Sequence, residues 1–577
     1  MGFKSDRAVW EAESGDFELV DMTIGDMLDR QALAFPDKEA LVYNYPEMGL
    51  NLRQTYPQFR DEANRVAKGL LALGIARGEH VAVWGPNLPQ WLYLQMGLAK
   101  IGAVLVTVNP AYRVQELEYV LRQADVTTLF MVEEVRGNSF LQSVYQLAPE
   151  LKSISDPGKE ELKSAVLPAL KRVGLMSDTP QPGLLTFSQL LELGNAISDE
   201  ALAARQASVT PRDTTIIMYT SGTTGFPKGA MLSHYSVLNA ARLCAYRYRL
   251  QPEDRLVSPM PLFHIAGITS CSLVCFVAGS TLIQLVGFDP AKLLELVQQE
   301  KATMTGGVPT MLIAILNHPR FVAGEFDTSS LRWIYSGAAS VPVILMEQIR
   351  EKMGAECGVM LGQTENSGIV TMPYPDDSFE IRASTVGLPL EYNDLKVVNT
   401  GSGEPVGFGE IGELMTRGFM VMQGYYKMPE KTTEAIDAEG WFHTGDLATM
   451  NAQGYINIVG RVKEMVIRGG ENIYPAEIEA FLLRYPALAD AQILGVPDAL
   501  MGEELVALLK LKPGAEATED EIREYCRANL SRYKVPKYIK FVTDYPLTAS
   551  GKVKKFELRQ QLIDELGLQE AAKIKTA

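Results

Sequence analysis

Residues 219–229, YTSGTTGFPKG, hold five hydroxyl side chains, three glycines and one lysine, directly after the apolar approach at 215–219. Gly222 and Gly225 let successive backbone N–H groups turn toward an anion, and such concave nests hold phosphate oxygens. Thr220, Ser221, Thr223 and Thr224 add hydroxyl donors, and Lys228 adds a positive charge. A solvated turn uses similar residues, but this density of donors reads as a loop that holds a polyphosphate. The P-loop of nucleoside triphosphatases requires G-x-x-x-x-G-K-[ST]. Here Lys228 follows Pro227 and precedes Gly229, so that template fails at two required positions.

TSGTTGFPKG resembles the signature of the adenylate-forming superfamily: acyl-CoA synthetases, adenylation domains of peptide synthetases and beetle-type luciferases. Joining a carboxylate to ATP brings two anions together. A site for it must neutralise phosphate charge, align the carboxylate with the α-phosphorus and stabilise the departing pyrophosphate. Further segments match the superfamily over approximately residues 25–560, most closely as in medium-chain fatty acyl-CoA synthetases. LGQTEN at 361–366 resembles an aromatic-G-x-T-E element. The resemblance implies that Gly362, Gln363 and Thr364 contact nucleotide, with Thr364 on the α-phosphate, and that Glu365 holds Mg²⁺, a hard cation suited to carboxylate oxygen. Leu361 stands where the superfamily usually carries a ring stacked on adenine, which removes some stacking energy.

The remaining site residues follow from the same resemblance. SGAAS at 336–340 implies that Gly337, like Gly362, lines the acyl pocket, with Ala338 and Ala339 near adenine. TGD at 444–446 implies that Asp446 accepts from the ribose hydroxyls, with Arg461 as a second ribose or phosphate contact. Lys463 falls at the hinge position, and Gly470 would let the pantetheine arm of coenzyme A pass close to the backbone. PLTASGKVKK at 546–555 implies that Lys552 reaches the carboxylate and phosphate oxygens in the adenylation transition state. MPLFHIAG at 260–267 places His264 at the gate beside the acyl phosphate. No acid lies between Asp254 and Asp289, which disfavours an ammonium-bearing substrate, and GGVPTMLIAIL at 306–316 would give small and apolar lining. The expected activity is an ATP- and Mg²⁺-dependent acyl-CoA synthetase that passes a medium-chain fatty acid through an acyl-adenylate to coenzyme A. A ligase loading an acyl or aryl acid onto a carrier protein, and an aryl-CoA ligase, share the ATP motifs.

The elements that must position these residues follow from pattern. Strand-like runs alternate with amphipathic stretches: 80–84, a helix over 89–102, a strand over 103–108, a helix over 114–125 and a strand over 126–131. That rhythm predicts α/β units with parallel strands buried between helices. Residues 149–205 are more polar and read as a surface excursion with short helices. Beyond about 380, glycine-rich turns between short strands predict a small twisted sheet or barrel. The expected fold class is α/β: a large N-terminal domain (1–461) of α/β subdomains plus that sheet or barrel, then a small mobile α+β C-terminal domain (462–577). In the latter, Thr518 and Glu521 form a capping box, and a second helix runs from Lys555 toward Leu566.

With 577 residues, 47% hydrophobic and 21% charged, the chain reads as a soluble protein of several subdomains. A net charge of −16 argues against nucleic acid as a general partner. One basic block interrupts that background, with seven Lys and Arg and only Asp544 between Arg532 and Lys555. Five scattered cysteines make no disulfide framework, and no Cys/His cluster has metal-site spacing. Residues 265–288 lack charge and are long enough to span a bilayer, yet their Gly, Ser, Thr and Gln residues favour a buried helix, a turn and a strand. No integral membrane segment is expected, nor a signal or transit peptide. A cytoplasmic setting follows, or a mitochondrial matrix in a eukaryote, and a homodimer stays open.

Overall fold

The computed structural model of the chain describes residues 7–12, 17–220, 227–339, 341–468, 471–498, 500–548 and 552–572. Near-continuous apolar runs form the strands His80–Trp84, Val104–Val108 and Thr128–Met131, nearly all of whose residues are buried. Strands covered on both faces read this way, and these pair in parallel. They belong to a seven-stranded sheet, in the order Gly424–Tyr425, Lys228–Ser233, Thr214–Thr220, Val104–Val108, His80–Trp84, Thr128–Met131, Arg172–Leu175. A second seven-stranded sheet runs Glu356–Met360, Trp333–Gly337, Met304–Gly307, Arg255–Ser258, Thr281–Gln284, Glu39–Tyr45, Leu50–Thr55. Helices such as Tyr56–Ala72 and Pro89–Ile101 pack between and beside them; the second is buried almost all round, as its apolar sequence requires.

The segment at 149–205 departs from the surface excursion expected of it. Its helices are short, but Arg172–Leu175 joins the first sheet as its edge strand, parallel to Thr128–Met131. The helix Phe187–Gly194 lies hard against Tyr56–Ala72: a Cβ on Gly69 would stand 2.4 Å from the Leu190 carbonyl, and one on Gly194 would stand 2.7 Å from the Gly69 nitrogen. Two glycines thus let a polar stretch bring its few leucines into the core.

Beyond residue 380 the chain forms an open five-stranded antiparallel sheet rather than a closed barrel: Val9–Trp10, Asn393–Val398, Gly412–Gly418, Phe442–Met450, Ile456–Arg461. The first strand comes from the far N-terminus. The C-terminal α+β domain is built on the long hairpin Leu488–Asp498 and Gly502–Leu511, with Tyr538–Phe541 parallel to its second strand. Thr518 caps Glu519–Asn529 through the expected capping box, and Lys555–Glu565 is helical. Much of the basic block faces acids of the same domain: Lys534 pairs with Glu477, Lys537 with Asp498 and Lys540 with Glu565.

Residues 265–288 form buried helical turns, including the π-helical turn Ile268–Leu273, then a left-handed Gly279 and the strand Thr281–Gln284. No helix among the described residues is long and apolar enough to cross a membrane.

A buried ion pair ties the helix His234–Arg247 to the two-stranded pair Thr371–Met372 and Leu388–Pro389 and to Glu391 just beyond it. Arg247, at the end of the helix His234–Arg247, donates to the carbonyls of Met372 (2.9 Å) and Pro389 (3.0 Å) and to Glu391 (3.1 Å). Both side chains are almost wholly out of water. Removing one member of such a pair strands the other charge, so Glu391→Ala is expected to cost about 3–5 kcal/mol, read as a lower urea midpoint at unchanged slope. A change under about 1 kcal/mol would show that the two remaining carbonyl contacts suffice.

Candidate active site

The strand Thr214–Thr220 leads into 221–226 and the chain returns as Lys228–Ser233, which places Thr220 opposite Lys228 in antiparallel register. Ser221, Gly222, Thr223, Thr224 and Gly225 lie outside the described residues. At the mouth of this hairpin the predicted phosphate and metal residues meet. The Thr220 hydroxyl donates to Glu365 Oε1 at 3.3 Å, and the Tyr425 hydroxyl donates to the same oxygen at 2.9 Å. Glu365 is anchored through its carbonyl, which accepts from the Met422 N–H at 2.8 Å. Lys228 Nζ stands 4.2 Å from the centre of the Tyr425 ring, a cation–π contact. Burial holds the Lys228 amine below its ordinary pKa, against the opposing pull of Glu365; the positive charge of Lys463 adds to the depression. Tyr425 had no motif to mark it, yet it touches both the cation and the carboxylate.

A second cluster forms where the strands Phe442–Met450 and Ile456–Arg461 pair, with Asp446 opposite Arg461. Arg461 Nε reaches Asp446 Oδ1 at 2.8 Å. Gln363 Nε2 donates to Asp446 Oδ2 at 2.7 Å and to the Thr444 carbonyl at 2.9 Å. Three predicted nucleotide residues from three separate segments are therefore one hydrogen-bonded unit. Asp446 is 3% exposed, and burial raises its carboxyl pKa although Arg461 and Gln363 work against that rise. A carboxylate offers about four lone-pair sites, so acceptor capacity remains for ribose hydroxyls.

The residues predicted for the acyl side sit at neighbouring strand ends. Gly337 pairs in register with Met360, and a Cβ on it would stand 2.6 Å from the Met360 carbonyl oxygen. Ala338 follows in the left-handed region at φ +67°, and Ala338 and Ala339 are exposed. Gly362 has its own steric cause, since a Cβ there would meet the Gly368 carbonyl at 1.8 Å where the chain doubles back. Thr364 is nearly buried, its hydroxyl 3.9 Å from the Met218 sulfur. Leu361 packs toward Val370 and Leu395 in the apolar interior. His264 Nδ1 accepts from the Ala266 N–H at 3.2 Å, which leaves the proton of the neutral ring on Nε2. Burial, assisted by the charge of Lys552, lowers its pKa to about 4, so the imidazole is neutral near pH 7.

Behind His264 the π-helical turn faces the second sheet. Tyr335, which the sequence reading did not single out, bonds Cys271 Sγ at 2.8 Å, and its ring fills the space over Gly306, where a Cβ would lie 2.4 Å away. Gly306 and Tyr335 are register partners. Aromatic bulk opposite a glycine carries no periodic signal, and for that reason the pairing escaped sequence analysis.

Lys552 stands on a small hairpin: its N–H donates to Thr548 Oγ1 at 3.0 Å, its carbonyl accepts from the Thr548 N–H at 2.7 Å, and Leu547 bridges Val553. Burial and then the charge of Arg461 lower its pKa, while Asp446, Glu365 and Glu464 oppose. Lys552 is therefore within electrostatic reach of His264, Asp446, Arg461 and Glu365 at once. Lys463 occupies the one-turn helix Val462–Glu464 directly after Arg461. Gly470 lies outside the described residues. No group of three or more His, Cys, Asp or Glu suited to a metal occurs among the described residues. One carboxylate beside a hydroxyl fits Mg²⁺, which commonly takes one or two carboxylates plus substrate phosphates and water.

Known proteins share this sequence along most of its length. Residues 28–426 match the family described as AMP-binding enzyme, and 477–552 match the AMP-binding enzyme C-terminal domain. The Bacillus subtilis (strain 168) protein YngI is 43% identical over 552 residues, covering 96% of this chain and 99% of its own. The Mus musculus mitochondrial medium-chain acyl-CoA ligase ACSF2 is 40% identical over 560 residues, covering 96% of this chain and 89% of its own. The crystal structure of the anthranilate CoA ligase AuaEII in complex with anthranoyl-AMP superposes with a TM-score of 0.81 at 27% identity, over 95% of this chain and 98% of that one. With matched residues spanning both ends of the fold and a site whose parts converge, the chain belongs to the AMP-binding enzyme family.

Proposed function

We propose that this protein is an AMP-forming acyl-CoA ligase that activates a medium-chain fatty acid through an acyl-adenylate and passes it to coenzyme A. The observation that carries the reading is the meeting of Lys552, His264, Asp446, Arg461 and Glu365 around one site, although they arise from segments far apart in the chain. Lys228 and Lys552 offset the charge of the two reacting anions, which otherwise repel. Asp446, braced by Gln363 and Arg461, holds the ribose and so fixes the α-phosphorus relative to the carboxylate. His264 presents an N–H from Nε2 and donates to the acyl oxygen without adding charge. Mg²⁺, held by Glu365 with the Thr220 hydroxyl beside it, would supply charge neutralisation on the nucleotide phosphates.

The stretch between Asp254 and Asp289, which carries His264, holds no acid to pair with an ammonium, and this supports a neutral carboxylic acid with a hydrocarbon tail. Similarity to the medium-chain ligase ACSF2 supports the chain length. After adenylation, the residues beyond Lys463 rotate as the C-terminal domain, withdrawing Lys552 and bringing the Gly470 segment to the adenylate for thioester formation. On this reading the C-terminal domain is 462–577 and its pivot is Lys463. All five cysteines are buried and free, which suits a reducing compartment such as the cytoplasm.

The test is a purified-protein assay with ATP, Mg²⁺, coenzyme A and carboxylates from acetate to palmitate, with benzoate included. Coenzyme A-dependent AMP release that peaks near octanoate is the expected result. Adenylate that accumulates without thioester would point to a carrier-protein acceptor, and a peak at benzoate to an aryl-CoA ligase; either would displace the proposal.

A further inference from the structure

Lys555 opens the helix Lys555–Glu565 just below the hairpin that carries Lys552. Its ammonium stands 2.8 Å from Glu479 Oε1 and 3.3 Å from Glu464 Oε2, with only a fifth of the side chain exposed. Glu479 belongs to the helix Pro475–Leu482, and the same oxygen accepts the Ile493 N–H at 2.8 Å, so this arm is anchored in the domain core. Glu464 is the last residue of the one-turn helix Val462–Glu464 and immediately follows Lys463. The backbone closes the arrangement: the Lys554 N–H reaches the Pro546 carbonyl at 2.9 Å, and the Lys555 N–H reaches that of Val553 at 3.0 Å. One lysine therefore touches the hairpin base, the domain core and the segment after the pivot.

We infer that Lys555 is a positioning residue for adenylation: by bridging Glu479 and Glu464 it fastens the base of the Lys552 hairpin to the residue that follows the pivot. The inference rests on the assignment of Lys552 to the adenylation step. It has a geometric consequence. With Glu464 tied to the domain core, the chain from 464 onward turns as one piece, and rotation is confined to the bonds of Lys463. Lys552 then arrives in a single register each time the domain closes. Burial alone would lower the Lys555 pKa, but the two carboxylates more than reverse it, so the clamp is charged at working pH. The Asp490 carboxylate also lies within reach of this charge. A merely structural ion pair would support stability and affect both half-reactions alike. A positioning clamp affects only the half-reaction that uses Lys552.

The experiment separates those outcomes by measuring ATP–pyrophosphate exchange with octanoate, thioester formation from supplied octanoyl-adenylate and coenzyme A, and the thermal midpoint. Lys555→Met is expected to lower the exchange kcat by about tenfold, less than the roughly hundredfold that a full 1 Å displacement can cost. The KM for ATP and thioester formation should stay within about twofold of wild type. Lys555→Arg, which can still reach both carboxylates, should recover exchange to within about twofold, and Glu464→Gln, which cuts one arm, should lose about threefold. Equal loss in both half-reactions, no loss in exchange, or no rescue by arginine would overturn the inference. Lys552→Ala serves as the control. If it abolishes exchange while Lys555→Met does not alter it, the clamp alone fails. If Lys552→Ala leaves exchange intact, the assignment beneath the clamp fails and the clamp falls with it.

Discussion

Lys552→Ala is expected to reduce ATP–pyrophosphate exchange by on the order of 10²–10³ while leaving thioester formation from supplied acyl-adenylate within about twofold of wild type. The magnitude is that of removing one preorganised donor from a water-poor site. The asymmetry follows from position. Lys552 is half-buried, its charge favoured by Asp446 and Glu365 and opposed by Arg461. On the proposed reading those three residues handle nucleotide, so a cation among them acts while pyrophosphate departs and has no task once the mixed anhydride exists. Its hairpin is closed by backbone bonds to Thr548 and Pro546, so truncating the side chain removes charge without opening the loop. Equal loss of both half-reactions would contradict the assignment, as would full rescue by Lys552→Arg, whose planar fork presents its charge differently from a compact ammonium.

What the sequence made legible, and what it left dark, divide along physical lines. The parallel α/β units announce themselves because strands buried on both faces must be apolar throughout, as in Val104–Val108. Motif residues are legible one at a time. Their assembly is not: the contact between Gln363 and Asp446 depends on how two sheets meet, and resemblance rather than spacing put both on the nucleotide. Tyr425 escapes because a loop aromatic with a backbone role in an edge strand has no period to betray it. The strand Val9–Trp10 escapes for another reason, since two residues cannot display alternation and their partners, Lys396 and Leu395, are far away in sequence. In Arg172–Leu175 the glycine that weakens the strand reading is required by packing, because a Cβ on Gly174 would enter the Phe130 ring at 2.5 Å. The basic block reads as a cationic face only until the fold sets Glu477, Asp498 and Glu479 against it.

Glu365→Gln is expected to lower exchange by about 10²–10³ and to raise the Mg²⁺ concentration needed for half-maximal rate more than tenfold. The substitution keeps shape, backbone anchorage to Met422 and an oxygen that accepts from Tyr425 and Thr220; only the negative charge is lost. Tyr425→Phe makes the complementary change, removing one donor to that carboxylate while its charge and the ring beneath Lys228 remain, so a loss nearer tenfold is expected. Glu365 also holds up the pKa of Lys228 against burial. Without the carboxylate, burial prevails more fully and Lys228 loses its proton at lower pH. The alkaline limb of the exchange profile should therefore move toward neutrality in Glu365→Gln and stay in place in Tyr425→Phe. A structural defect would scale the profile without shifting it. Activity of Glu365→Gln within threefold of wild type at ordinary Mg²⁺ would remove Glu365 from the reaction and leave its hydrogen bonds as packing.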